Sequence, residues 1–147
     1  MSQEGIIEKE TSMPSTTQTA SISKTKLWAA RLLTGLPVLF LLFDSVTHLM
    51  LIAPVVESFH QSGYPVSLAL GIGLLELVCV VVYVIPSTSL LGAILLTGYL
   101  GGAVATHVRI GDPLLSHVLF PVYVGALLWA GLYLRDDRLH ALLPLRK

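Results

Sequence analysis

The sequence predicts an all-α integral membrane protein: an up-down four-helix bundle behind a disordered N-terminal tail. Three observations carry that prediction. Four apolar runs each reach the roughly 20 residues that a helix needs to span a bilayer. The links between them are short, and the basic residues gather at the two ends of the chain. The composition agrees, being 54% hydrophobic and 12% charged with a mean hydropathy of +0.77, well above a soluble globular chain.

Residues 1–23, "MSQEGIIEKETSMPSTTQTASIS", are rich in Ser, Thr, Gln and Glu, with Ile6 and Ile7 the one adjacent aliphatic pair. They lack the basic start and apolar middle of a secretory signal. Such a segment buries too little apolar surface to order itself, so it reads as a dispensable cytoplasmic tail. Residues 24–147 form the four-helix unit.

The first predicted span is 27–53, whose centre "LLTGLPVLFLLF" has no charge and whose Pro37 is placed to kink it. The second, 66–85, is interrupted only by Glu76. The third, 90–108, and the fourth, 114–134, contain no Asp, Glu, Lys or Arg. A soluble bundle would show polar stripes at 3.6-residue spacing, and these runs do not, so lipid is their solvent. The links are 54–65, "PSTS" at 86–89, and 109–113, with Pro113 opening the fourth helix. Links this short make sequential helices antiparallel neighbours. Gly98, Gly102 and Thr106 form a small-residue face expected to pack within the bundle, with contact between copies as the other use. Cys79 is the single cysteine, which excludes an internal disulfide and a cysteine-based zinc site.

Orientation follows from the basic residues. Lys24, Lys26, Arg31, Arg135, Arg138, Arg146 and Lys147 flank the bundle at its terminal end, against Arg109 alone in the first and third links. Both termini are therefore expected in the cytoplasm. Nine basic and nine acidic residues cancel, giving no charge excess for nucleic acid.

The intramembrane polar residues fall in the outer half or at the midplane. Asp44 and His48 share one face of the first helix, Glu76 lies near the middle of the second, His107 ends the third, and His117 begins the fourth. A charge at the bilayer centre costs about 2.5 to 3.5 kcal/mol on insertion scales, so each such group needs a partner or a purpose. The stretch "THVRIGDPLLSH" adds Arg109 and Asp112 between the two histidines. The seven residues Asp44, His48, Glu76, His107, Arg109, Asp112 and His117 are the candidate polar site, a pocket whose mouth is that outward turn. For Glu76, a buried neutral carboxyl holding two helices in register is the competing explanation. Arg109 and Asp112 have a simple turn pair as theirs. Neither a metal nor haem is expected on His48, His107 and His117, because Arg109 opposes a cation and no zinc-type spacing occurs. Trp28, Trp129 and Tyr133 at one end, and Tyr64 at the other, read as interfacial aromatics. His60 and His140 fall in expected solvent regions and carry no assigned role.

The segments "GLPVLFLLFDSVTHL" and "LLGAILLTGYLGGAVATHVRIGDPLLSHVLFPVYVGALLWAGLYLRDDRLHALLPLR", with the lone Glu of "LGIGLLELVCVVVYVIP", resemble the DoxX-like family of small bacterial membrane proteins. The resemblance covers about residues 27 to 146. The family is similar to DoxX and DoxD, named for a thiosulfate:quinone oxidoreductase subunit. The likeness implies a multi-pass inner (plasma) membrane protein, and a quinone-linked redox role with a membrane or redox protein as partner. A non-enzymatic scaffold or assembly partner, alone or as a homo-oligomer, is the alternative, and whether the chain is an enzyme stays open. The sequence departs from the family at His48, where members often carry lysine, so pairing with Asp44 is pH-dependent here.

Overall fold

The computed structural model describes residues 24–136 and Leu139. The tail 1–23, with its expected disorder, and Arg138, His140, Arg146 and Lys147 lie outside the described residues. Five α-helices and one π-helical turn make up the rest, with no strand among the described residues. They are α1 (Lys24–Met50), α2 (Ala53–Ser62), α3 (Leu68–Val84), α4 (Ser89–Ile110), the π-helical turn (Leu114–Val118) and α5 (Phe120–Arg135).

The sides of α1 show what these helices are built to face. Leu32, Leu36, Leu39 and Phe43 are 67–69% exposed and recur at helical spacing, a stripe whose solvent is hydrocarbon. On the other face Pro37, Leu41 and Ser45 are buried, and the helix runs continuously through Pro37. Leu27–Met50, Ser89–Ile110 and Leu114–Arg135 are long and apolar enough to cross a membrane. The second predicted span is shorter than expected. Its helix α3 has 17 residues, about 25 Å at 1.5 Å per residue, against a hydrocarbon core of roughly 30 Å.

Each long helix packs on two others: α1 on α3 and α5, and α4 on α3 and α5. This closes the four into a ring, in which consecutive spans pack side by side and α5 returns to α1. Glycine sets the closest approaches. A Cβ on Gly73 would lie 2.7 Å from His48 Cβ, one on Gly92 would lie 2.3 Å from Tyr83 Cα and N, and one on Gly131 would lie 2.4 Å from Thr34 Oγ1. Between these points Leu41, Val80, Tyr83, Leu96, Leu128 and Leu132 form a core with 0–1% exposure. The Tyr83 hydroxyl donates to the Leu128 carbonyl at 2.8 Å, and Arg135 donates to the Tyr83 carbonyl at 3.2 Å. That ties α3 to α5 at the terminal end.

Three expectations need correction. Gly98 and Gly102 do not pack against a helix, since nothing lies within 4 Å of a Cβ built on either. The 54–65 link is largely the helix α2, with Pro54 in its first turn and Gly63 (φ 68°) closing it in the left-handed conformation. Val55, Phe59 and Ser62 recur at helical spacing and are buried, while Glu57, His60 and Gln61 face outward. The fourth span is not one regular helix. Val118 N donates to Pro113 O and Leu119 N to Leu114 O, five residues back, before α5 begins.

Candidate functional site

The polar wall begins on α1, where "DSVTH" places Asp44, Ser45, Thr47 and His48 within about one turn and a half. Most of these groups bond to their own helix. Ser45 Oγ donates to the Leu41 carbonyl at 2.8 Å, and Thr47 Oγ1 donates to the Asp44 carbonyl at 2.8 Å. His48 Nδ1 lies 3.0 Å from that same carbonyl. A carbonyl only accepts, so Nδ1 carries a proton and the imidazole is held on the Asp44 side. The Asp44 carboxylate Oδ2 is 3.6 Å from the same nitrogen.

Glu76 completes the cluster from α3. It is the middle residue of that helix and is fully buried. Gly73, one turn earlier, removes the side chain that would hold α1 away, because its Cβ position abuts His48 Cβ and the Ser45 carbonyl. One ligand-type atom from each of Asp44, His48 and Glu76 lies within 4.8 Å of the other two. Ser45, Asp44 and, from α4, Tyr99 are the polar groups facing the Glu76 carboxyl. Neither Glu76 oxygen makes a hydrogen bond of ordinary geometry.

Against this wall lies a cavity of about 740 Å³, within the usual range for small-molecule sites. Asp44, His48 and Tyr99 form its polar end, and Thr106 and His107 line it further along α4. Phe59, Ser58 and Ser62 of α2 form the roof, and Phe59 packs edge-on against His48 with ring centroids 5.8 Å apart. Gly98 and Gly102 line the α4 side, so the open space that a packed helix would have filled is the cavity itself. Its flanks are apolar. Leu75, Ile94 and Leu95 line it while remaining 55%, 55% and 40% exposed, so the cavity is a groove that opens sideways between α3 and α4.

The candidate residues separate into three groups. Asp44, His48 and His107 line the groove, and Glu76 abuts its polar end from behind. Arg109 and Asp112 act at the rim. Arg109 Nη2 donates to the Ser62 carbonyl, and its guanidinium lies 4.8 Å from the Tyr64 ring centroid. It therefore clamps α2 onto α4 and does not bend inward to Glu76. Asp112 pairs with His107, with Oδ2 2.6 Å from Nδ1, in place of the simple Arg109–Asp112 turn pair. Gly111 (φ 77°) makes this geometry by letting the chain reverse directly after α4. His117 stands outside the groove. It is exposed, its ring centroid is 5.9 Å from that of His107, and Ser116 is its hydrogen-bonding partner.

A family model described as the DoxX-like family matches residues 32–131. The chain belongs to the DoxX-like family. Neither the curated proteins nor the solved structures contain a match to it. Family and helices together make this DoxX-like chain an integral membrane protein in contact with the lipid bilayer.

The polar groups that sequence reasoning missed in this DoxX-like protein are Tyr99, Tyr64, Thr106, Ser58 and Ser62. Tyr99 had a signal. It lies halfway along α4, where an interfacial role for tyrosine is excluded by depth. The sequence reads Tyr64 as an interfacial aromatic, but its hydroxyl lies 3.3 Å from Thr106 Oγ1. Thr106 gives its own proton to the Gly102 carbonyl at 3.1 Å, so Tyr64 is the donor in that pair.

Proposed function

We propose that this protein is a redox-associated membrane subunit that binds a quinone-type lipid in the groove between α3 and α4. One observation carries the reading: a groove flanked by lipid-exposed Leu75, Ile94 and Leu95 ends at Asp44, His48 and Tyr99. Such a shape suits an amphipathic molecule that arrives through the membrane, tail in the apolar mouth and polar head at the inner wall. The Tyr99 hydroxyl can donate to a quinone carbonyl, His48 Nε2 can accept from a quinol hydroxyl, and Asp44 can exchange protons with the head group. Electrons would come from a partner, since no redox group is needed in a subunit that only holds and protonates the quinone.

The test is mass spectrometry of lipids co-purifying with the detergent-solubilised protein, together with thermal unfolding in the presence of a short-chain ubiquinone or menaquinone analogue. A bound quinone and a concentration-dependent rise in unfolding temperature are expected. Loss of both, with the groove's own phospholipids recovered instead, favours the scaffold reading.

The orientation belongs to the same proposal. With the basic residues at the terminal end, α2 and the Gly111 turn face outward across the plasma membrane. Reporter fusions after Arg138 and Lys147 should both give a cytoplasmic signal, and a reporter inserted at Gly63 an external one. An external signal at the C-terminal fusions would put the Asp44 cluster in the cytoplasmic half.

A further inference from the structure

We infer that Asp44, His48 and Glu76 form a binding site for a divalent transition-metal ion at the inner end of the groove. The site shares Asp44 and His48 with the polar end of the groove, but its test uses the metal alone and needs no quinone.

The three side chains come from two helices, and their ligand atoms already lie within 4.8 Å of one another. Two of the three are carboxylates, and no lysine or arginine is among the cluster's facing groups. Arg109 is engaged with Ser62 and Tyr64 at the rim. Glu76 provides the second, independent observation. Its carboxyl is wholly buried, faces Asp44 and leaves both oxygens without a hydrogen bond of ordinary geometry. Of the hydroxyls facing it, Ser45 is satisfied by its own helix and Tyr99 makes no hydrogen bond of ordinary geometry to it, so an unsatisfied acceptor pair here stands out. A doubly charged cation cancels two carboxylates and gives those oxygens a partner.

The donor set indicates the class of ion. Carboxylates alone would suit Mg²⁺ or Ca²⁺, but an imidazole in the set shifts the preference to Mn²⁺, Fe²⁺ or Zn²⁺. Ligands at about 2.1 Å from an ion sit roughly 3.0–3.6 Å from each other. The side chains therefore need to close by about 1 Å, within reach of Asp and Glu torsion changes. The ring nitrogen nearest the Asp44 carboxylate is His48 Nδ1, 3.6 Å from Oδ2, and binding an ion through it exchanges its proton and its bond to the Asp44 carbonyl for the metal. Asp44 and His48 line the groove, so an ion with three protein ligands keeps its open positions on the groove side. The sequence reading set metal aside for His48, His107 and His117. The fold instead brings His48 to two carboxylates and leaves His117 outside.

The full-length protein, purified in detergent and stripped with chelator, is titrated with Co²⁺ and read by visible absorption and by metal content after desalting. One Co²⁺ per chain with visible d–d bands is expected, displaced by Zn²⁺, and a rise in unfolding temperature should accompany it. Glu76→Gln and His48→Gln should each lower affinity at least tenfold. Asp112→Asn, in the separate His107 pair at the rim, should retain the wild-type spectrum. If Glu76→Gln does not fold, His48→Gln and Asp44→Asn decide the matter. Absence of stoichiometric Co²⁺, or Co²⁺ retained by the folded cluster variants, overturns the site and leaves Glu76 as a structural carboxyl.

Discussion

Replacing Gly92 by alanine is expected to destabilise the fold by about 3 kcal/mol, at the upper end of ordinary overpacking costs. The added Cβ would lie 2.3 Å from both Cα and N of Tyr83, and 2.7 Å from its Cβ. Main-chain atoms have no rotamer to change, so α3 and α4 must part. Tyr83 cannot follow cheaply. Its hydroxyl is bonded to the Leu128 carbonyl, its own carbonyl accepts from Arg135, and its ring lies 4.8 Å below the Arg135 guanidinium. Moving it strains a three-helix junction. The control is Gly98→Ala on the same helix, where nothing lies within 4 Å of the new Cβ. That variant should unfold at the wild-type temperature or above, since Ala is the better helix former. Scanning fluorimetry in detergent measures both. Equal stability of the two would mean that α3 and α4 are not in contact at Gly92.

This contrast marks how far the sequence could be read. Four apolar runs, short links and terminal basic residues were enough for the helical fold, because hydrocarbon as solvent leaves few alternatives. The sequence also brought Asp44, His48 and Glu76 under one suspicion, since each is costly in lipid. It could not tell one glycine from another. Gly73, Gly92 and Gly131 are contact points while Gly98 and Gly102 line open space, yet the G-x-x-x-G spacing belongs to the second pair. Helix rotation decides this, and rotation is set by the partner helices, not by local pattern. The α2 helix was legible in principle: Val55 and Phe59 keep helical spacing, polar Glu57, His60 and Gln61 lie between and beyond them, and Gly63 stops it. Its 10 residues fall below spanning length, so a search for spans counted it as link. The role of Arg109 was not legible for a different reason: the clamp to Ser62 and Tyr64 exists only once α2 is folded over α4.

Gly102→Leu is expected to abolish quinone-analogue binding while leaving the bundle folded, a loss on the order of a hundredfold, or about 2.8 kcal/mol. Gly102 lines the groove beside Thr106 and Ala103, with nothing within 4 Å of its Cβ position. A leucine there meets no neighbour on its first atom and extends into the space proposed for the head group. The Thr106 hydroxyl, which donates to the Gly102 carbonyl and accepts from Tyr64, involves only main chain at that position and is left in place. Burial of apolar surface against the groove wall favours the folded form, so the unfolding temperature should hold. The distinction from the metal site is built into the position. Asp44, His48 and Glu76 keep their side chains in this variant, so Co²⁺ should still bind when the quinone analogue does not. Isothermal titration with the analogue and the Co²⁺ spectrum, measured on one preparation, separate the two. Wild-type analogue affinity in a folded Gly102→Leu protein would show that the lateral groove is not the binding site.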